Sequence, residues 1–277
     1  MEIKASDIKA LRDSTGAGLM DCKKALTECN GDMKEATKYL LEKGLAAMAK
    51  RADRATAEGR IFLKQEGNKI AMVEVVCETD FVAKAEDFIT LGNKCVDVVF
   101  SKNLNTVTDD FTPLLNEVAV KIRENMSVRK CVCIEVPAGC VASTYVHHNF
   151  KIGSIVVVKG SEADEVKDFA HVCCLHLASK TPMYITKEEV SADYVKDQTE
   201  IFKAQMDQDE KMAGKPEAVK AGILQGKVNK HLAEICFMDQ MYLDDEKKTV
   251  AAALTDMGKK VGANLSFDKV TLFVLGK

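Results

Sequence analysis

The feature that most restricts the fold is a unit of two strands and a helix that the sequence spells twice. Ile61-Phe62-Leu63 and Ile70–Val76 are rich in β-branched and large apolar residues, and they flank Gly67-Asn68, a hairpin-type turn. After Val76-Cys77 comes Glu78-Thr79-Asp80-Phe81-Val82, and the spacing of Phe88, Leu91, Cys95 and Val98 predicts a helix from about Ala85. The same order recurs as Tyr145-Val146, a turn near Asn149, Ile152–Val158, and a helix carrying Val166, Phe169, Val172 and Leu175. Lys69-Ile70-Ala71 overlays Lys151-Ile152-Gly153, and Asp87-Phe88 overlays Asp168-Phe169, with one residue of slip between them. Such a repeat predicts two related α+β subdomains packed as one core. The alternative is a chance likeness between two ordinary α+β stretches. Between the copies, Thr112 to Asn125 reads as helical.

Helical segments flank this core. Ile3, Ile8 and Leu11 mark a first short helix, ended by Ser14-Thr15-Gly16-Ala17-Gly18. Leu19-Met20, Lys23 and Leu26 mark a second, which runs to Asn30-Gly31. Asp32 is a good N-cap for a third, with Met33, Ala36, Tyr39 and Leu40, closed by Gly44. Further on, Glu188–Met212 and Glu217–Ile235 are polar-rich helical stretches broken by Ala213-Gly214-Lys215-Pro216, which predicts an antiparallel helical hairpin. The tail from Thr249 is helical and ends in an apolar strand at Val270–Leu275. The expected class is α+β. Its parts are an N-terminal three-helix module (1–50), core subdomains at 51–140 and 141–187, the hairpin (188–235) and a C-terminal helical segment returning to the core (236–277).

Composition narrows the function. Of 277 residues 47% are hydrophobic and 29% charged, the balance of a chain with a real core. A formal net charge of −3 is the opposite of the basic footprint of a nucleic-acid binder, so no direct nucleic-acid partner is expected. The start, Met-Glu-Ile-Lys, lacks the basic and apolar runs of a secretory signal. No stretch approaches the roughly 18 uninterrupted apolar residues that span a bilayer, so no membrane partner is expected and the expected location is the cytoplasm. Of the ten cysteines, Cys22, Cys29, Cys77, Cys95, Cys173 and Cys236 sit among aliphatic residues, which points to reduced core thiols rather than disulfides.

No phosphate-binding glycine loop and no nucleophile elbow occurs. Gly16-Ala17-Gly18 precedes a helix but follows another helix, which makes it a weak nucleotide loop. The strongest metal candidate is His171-Val172-Cys173-Cys174-Leu175-His176. Zinc needs four ligands or three plus water, and no second pair stands at a familiar spacing. Helical spacing places Val172 and Leu175 on the core side with Phe169 and leaves His171 and Cys174 at its edge. Cys131-Val132-Cys133 reads equally as one face of a strand, and His147-His148 would point to opposite faces. The expectation is no metal, no cofactor and no catalytic constellation. A zinc or thiol enzyme built on the His171–His176 cluster is the enzymatic alternative.

One segment looks like more than packing. Thr79-Asp80-Phe81-Val82-Ala83-Lys84 joins a buried-looking strand to a helix, where loops on a rigid scaffold carry function. By residue pattern alone, Asp80 is the helix N-cap and Phe81 a core residue. The motif and its companions resemble the elongation factor Ts family. Thr15-Gly16-Ala17-Gly18-Leu19-Met20-Asp21-Cys22-Lys23-Lys24-Ala25-Leu26 looks like that family's N-terminal signature, and Thr79–Lys84 matches its T-D-F-V-A-K signature. Tyr145 and His147 with Ile152-Gly153, then Gly214-Lys215-Pro216, and Cys236 with Gln240, follow in the family's order.

The resemblance implies a non-catalytic guanine-nucleotide exchange factor for elongation factor Tu, met in its GDP-bound and nucleotide-free states. It implies that the N-terminal module is ubiquitin-associated-like and docks through Arg12, Leu19 and Met20. Thr79, Asp80, Phe81 and Val82 would disturb the partner's magnesium site, with Ile122 and His147 supporting that contact. Arg123 departs from the family pattern, which commonly has glycine in an I-G-E-N run. A passive adaptor that binds the GTPase without speeding GDP loss is the other alternative.

Overall fold

The computed structural model describes residues 3–209, 212 and 214–277. The chain divides into two compact units. The first holds residues 1–136, 146–153 and 273–277, and the second 137–145 and 154–272. The class is α+β with small antiparallel sheets.

The first unit opens with three helices, α1 (Ala5–Thr15), α2 (Leu19–Glu28) and α3 (Met33–Ala49), around Leu11, Cys22, Ala25, Leu26, Ala36 and Leu40. Asp32 caps α3 by accepting from the backbone N–H of Lys34 and Glu35, a motif worth about 1 kcal/mol. Gly44 does not close α3, which continues five residues further. A Cβ there would stand 2.9 Å from Val120 Cγ2, so the residue is glycine to admit Val120.

Next come β1 (Glu58–Glu66) and β2 (Lys69–Cys77), paired antiparallel about the Gly67-Asn68 turn, and then the four-residue turn α4 (Asp80–Ala83). After it stand α5 (Glu86–Lys102), α6 (Thr112–Val118) and β3 (Ser127–Glu135), which pairs antiparallel with the free edge of β2. Ala71, Val73, Val75 and Cys77 on one face of β2 pack with Phe88, Leu91, Cys95 and Val99 of α5. The helix expected to reach Asn125 stops at Val118. Residues 119–126 are turn and irregular chain, because their polar groups bond to other segments rather than to a helix of their own.

In the second unit β4 (Cys140–Val146), β5 (Ile152–Lys159) and β8 (Ser266–Val274) form a sheet in the order β4-β5-β8. α7 (Asp164–Lys180) packs on it through Val166, Phe169, Ala170, Cys173 and Leu177 against Val156 and Val158. The hairpin helices α8 (Ala192–Asp207) and α9 (Glu217–Ile235) run antiparallel, since Tyr194 near the start of α8 meets His231 near the end of α9. Helix α8 begins at Ala192 rather than Glu188, because the Ser191 hydroxyl caps it by accepting from Tyr194 N–H. The expected end of that helix includes Glu210 and Lys211, and the expected break includes Ala213, all outside the described residues. The strand pair β6 (Met241–Tyr242) and β7 (Asp245–Thr249) leads to α10 (Val250–Val261), whose N-cap is Thr249.

The repeat is present, in a different register. Helices α5 and α7 both have 17 residues and both end on a left-handed residue, Asn103 and Thr181. Their buried positions coincide at a spacing of 78, so Phe88 stands over Val166, Leu91 over Phe169 and Cys95 over Cys173. The overlay of Asp87-Phe88 on Asp168-Phe169 is therefore wrong by about one helical turn. The strand overlay is also out of phase. The helix-facing residues are odd-numbered on β2 and even-numbered on β5 (Ser154, Val156, Val158), and an overlay of Lys69 on Lys151 would turn them to opposite faces.

Candidate functional site

Thr79 to Val82 follow β2 after one residue, Glu78. Thr79 caps the α4 turn, its hydroxyl accepting from Val82 N–H at 3.4 Å. Asp80 is thus not the cap of the long helix, which starts after Ala85. It is held instead by Lys84 at 2.6 Å, and this hydrogen bond keeps its carboxyl below the usual range. Phe81 is not core: its side chain is 83% exposed, the highest value among the exposed large hydrophobics. Val82 is half-buried against the α5 core and Ala83 fully buried, so one side of the turn anchors and the other projects.

A single carboxylate sets the base of this turn. Glu124 Oε2 accepts from Glu78 N–H at 3.0 Å and Thr79 N–H at 2.9 Å, and Oε1 accepts from the Thr79 hydroxyl at 2.6 Å. Asn125 N–H donates to Glu78 Oε1 at 2.6 Å, while its side-chain amide donates to the carbonyls of Ala52 and Arg54. None of these contacts was visible in the sequence, where Glu124 and Asn125 read as helix. The usable signal was their place in the I-x-E-N run.

The second element lies at the start of α2. Leu19 is 54% exposed, Met20 74%, and Arg12 on α1 is also exposed. Asp21, the next residue, receives Lys43 at 3.0 Å and Arg123 at 2.6 Å, and both cations, Lys43 first, lower its pKa. Arg123 therefore has a definite place here.

The Gly16-Ala17-Gly18 loop is not a phosphate cradle. A Cβ on Gly16 would stand 2.7 Å from Lys121, and one on Gly18 would stand 2.9 Å from Arg123. The glycines admit side chains from the 119–126 segment.

Ile122, which the resemblance puts in support of the partner contact, is not a surface residue. It is only 7% exposed and packs in the α5 core, because its neighbours are pinned on either side. His147 is partly exposed in the 147–151 turn, where its backbone N–H donates to Ile152 O and its ring lies 4.1 Å from that of His148. That turn adds two residues the sequence reading missed. Lys151 pairs with Glu58 at 2.6 Å and also lowers the Asp80 pKa by its charge. Phe150 is exposed at a φ of 60°, a left-handed conformation unusual for a bulky residue, with the Arg60 guanidinium 4.2 Å from its ring centroid.

The alternative chemistry fares poorly. All ten cysteines are free. Burial pushes the Cys77, Cys95 and Cys174 thiols up to about 12, far from the thiolate that nucleophilic catalysis requires. Cys174 is core rather than edge, donating to Ser143 O, while His171 faces outward to the Ser143 hydroxyl and His176 is fully buried. Among the described residues no three metal-ligating side chains converge. A cleft of about 570 Å³ between α1, α3, α5 and α6 is lined by Leu40, Leu91, Leu114 and Val118 under Lys94–Glu117 and Lys121–Asp87 ion pairs, with no His or Cys. No helix among the described residues is long and apolar enough to cross a membrane.

Two projecting apolar elements, Leu19-Met20 and Phe81, thus stand on short helices anchored to a packed α+β scaffold. The profile of the family described as Elongation factor TS matches residues 78–276. The chain is 47% identical over 281 residues to Elongation factor Ts of Treponema denticola, covering 100% of this chain and 99% of the relative. It is 41% identical over 292 residues to that of Treponema pallidum (100% and 99%), and 36% identical over 288 residues to that of Clostridium perfringens (99% and 93%). This chain belongs to the elongation factor Ts family of translation elongation factors.

Proposed function

We propose that this protein is a guanine-nucleotide exchange factor for elongation factor Tu, acting in the cytoplasm without covalent chemistry of its own. Membership of the family supports the partner, and one observation carries the mechanism: Phe81 stands in solvent beside Asp80 on a turn rigidly held at its base. An exposed ring on an ordered turn has no use in its own core. Leu19, Met20 and Arg12 supply the docking face. Thr79 to Val82 supply the wedge, and His147 supports the contact.

Magnesium in such GTPases bridges phosphate oxygens and neutralises charge that would otherwise repel. A wedge that shifts the ligands of this ion weakens GDP. The coupling is reciprocal, so nucleotide weakens the exchange factor by the same factor and is replaced by whichever nucleotide is abundant. The test is release of labelled GDP from elongation factor Tu with and without this protein. Acceleration is expected. Binding with no acceleration would make the protein an adaptor and overturn the reading.

A further inference from the structure

The 119–126 segment touches both contact elements. Val120 fills the space over Gly44, Lys121 that over Gly16, and Arg123 that over Gly18, each within 2.9 Å of where a Cβ would stand. Arg123 then grips Asp21, next to Met20, at 2.6 Å. One residue later, Glu124 takes two backbone N–H groups and the hydroxyl at the base of the wedge turn. Ile122, buried between them, pins the segment to the core. From Met20 to Phe81 the path crosses only two non-covalent links, Asp21 to Arg123 and Glu124 to Thr79, both 2.6 Å long.

A four-residue helix cannot hold itself, since a single turn costs more conformational freedom than its hydrogen bonds return. The direction of Phe81 is therefore set by what α4 rests on, the core under Val82 and Ala83 on one side and Glu124 at Thr79 on the other. We infer that Glu124 is the positioning residue of the wedge, and that residues 120–124 form a strap holding wedge and docking face at a fixed separation. The inference rests on the exchange reading above. Its consequence is that docking through Leu19 and Met20 delivers Phe81 already oriented, so the ordering cost is met before the partner arrives.

Four variants of the whole chain test it: Glu124→Ala, Glu124→Gln, Thr79→Val and the Glu124→Ala, Thr79→Val double variant. The assay is stopped-flow GDP release from elongation factor Tu across a range of exchange-factor concentrations. A positioning role lowers the rate at saturation with little change in the half-saturating concentration, whereas a docking role does the reverse. Glu124→Ala should lower the saturated rate by about 10-fold or more, as displacement of a working group by an ångström does. Glu124→Gln, which keeps shape and one acceptor, should recover part of it. Thr79→Val added to Glu124→Ala should cost little more, because the two act through one contact.

Phe81→Ala, run in parallel, separates the two readings. If Phe81→Ala is slow and Glu124→Ala saturates at the wild-type rate, the positioning role is overturned and the exchange reading stands. If Phe81→Ala releases GDP at the wild-type rate, both fall. Thermal unfolding accompanies each variant. Should Glu124→Ala melt below the assay temperature, Glu124→Gln and Thr79→Val decide, and wild-type saturated rates in both would overturn the inference.

Discussion

The two copies of the strand–strand–helix unit differ at the join between middle strand and helix. In the first, residues 78–85 connect β2 to α5 and include the α4 turn. In the second, residues 160–163 connect β5 to α7, with Gly160 at a φ of 112° because a Cβ there would strike Asn264 O. The packed helices match at every buried position of α5. The joins do not, and only the longer one projects an aromatic ring. Core positions are constrained by shape, so they agree wherever the unit is used. A join is constrained only to close, so it is free to carry function. The second copy shows what the unit needs to fold, and the first shows what has been added.

The most drastic way to break this comparison is to delete Asp80–Ala83, leaving the first join as short as the second. The expected outcome is a folded protein that binds elongation factor Tu through its N-terminal helices and does not accelerate GDP release. Calorimetry and a release assay together check it. Unaltered release would show that the added turn is not the wedge. A gentler version uses two phenylalanines seven residues apart. Phe88 is fully buried on α5, and Phe88→Ala should cost about 3–5 kcal/mol of stability. Phe81→Ala should leave stability within about 1 kcal/mol and slow GDP release by about 10-fold or more. Denaturant unfolding and stopped-flow release on both variants measure the crossover.

A third expectation concerns the other projecting element. Leu19→Ala with Met20→Ala should weaken association by about 1–3 kcal/mol, roughly 10-fold to 100-fold. The release rate at saturation should hold. Unchanged affinity by titration calorimetry would remove the docking role from α2.

Much of this architecture was legible in the sequence because it follows from periodicity. The hairpin at Gly67-Asn68, the Asp32 cap and the helical tail from Thr249 are local signals with local causes. What was illegible depends on contacts between distant segments. Gly44 looked like a helix stop, but it is a helix-interior glycine under Val120, 76 residues away. Thr112 to Asn125 looked helical, yet past Val118 the chain serves Glu78, Thr79, Ala52 and Arg54. Ile122, which the resemblance puts in support of the partner contact, lies in the core. Phe81 went the opposite way. A ring beside helix-forming residues reads as core by pattern, and only the motif as a whole marked it as projecting.

The repeat offers one further contrast, with the smallest expected effect. At the spacing of 78 that aligns the two helices, Val98 of α5 corresponds to His176 of α7. Val98 packs apolar at the edge of its core. His176 is fully buried, edge-on to Phe237, with Nε2 2.8 Å from Gln240 Oε1 and Nδ1 without a hydrogen-bond partner. Burial holds its pKa below the ordinary 6.5; the Gln240 bond opposes this in part, and the charge of Lys180 adds to it. A folded imidazole that resists protonation makes the unfolded chain bind the proton first. The stability from neutral His176 is therefore complete above pH 6.5 and declines as pH falls below it, by at most about 1.4 kcal/mol per pH unit. His176→Val, which copies the first repeat into the second, should lower stability near pH 7.5 by about 1–2 kcal/mol, because Gln240 Oε1 loses its donor. It should also flatten the decline between pH 7 and pH 5, since the carboxylates titrate alike in both proteins. Urea unfolding of the two across that range is the measurement, and parallel pH profiles would show that His176 binds its proton equally well folded and unfolded, so that burial does not disfavour the imidazolium.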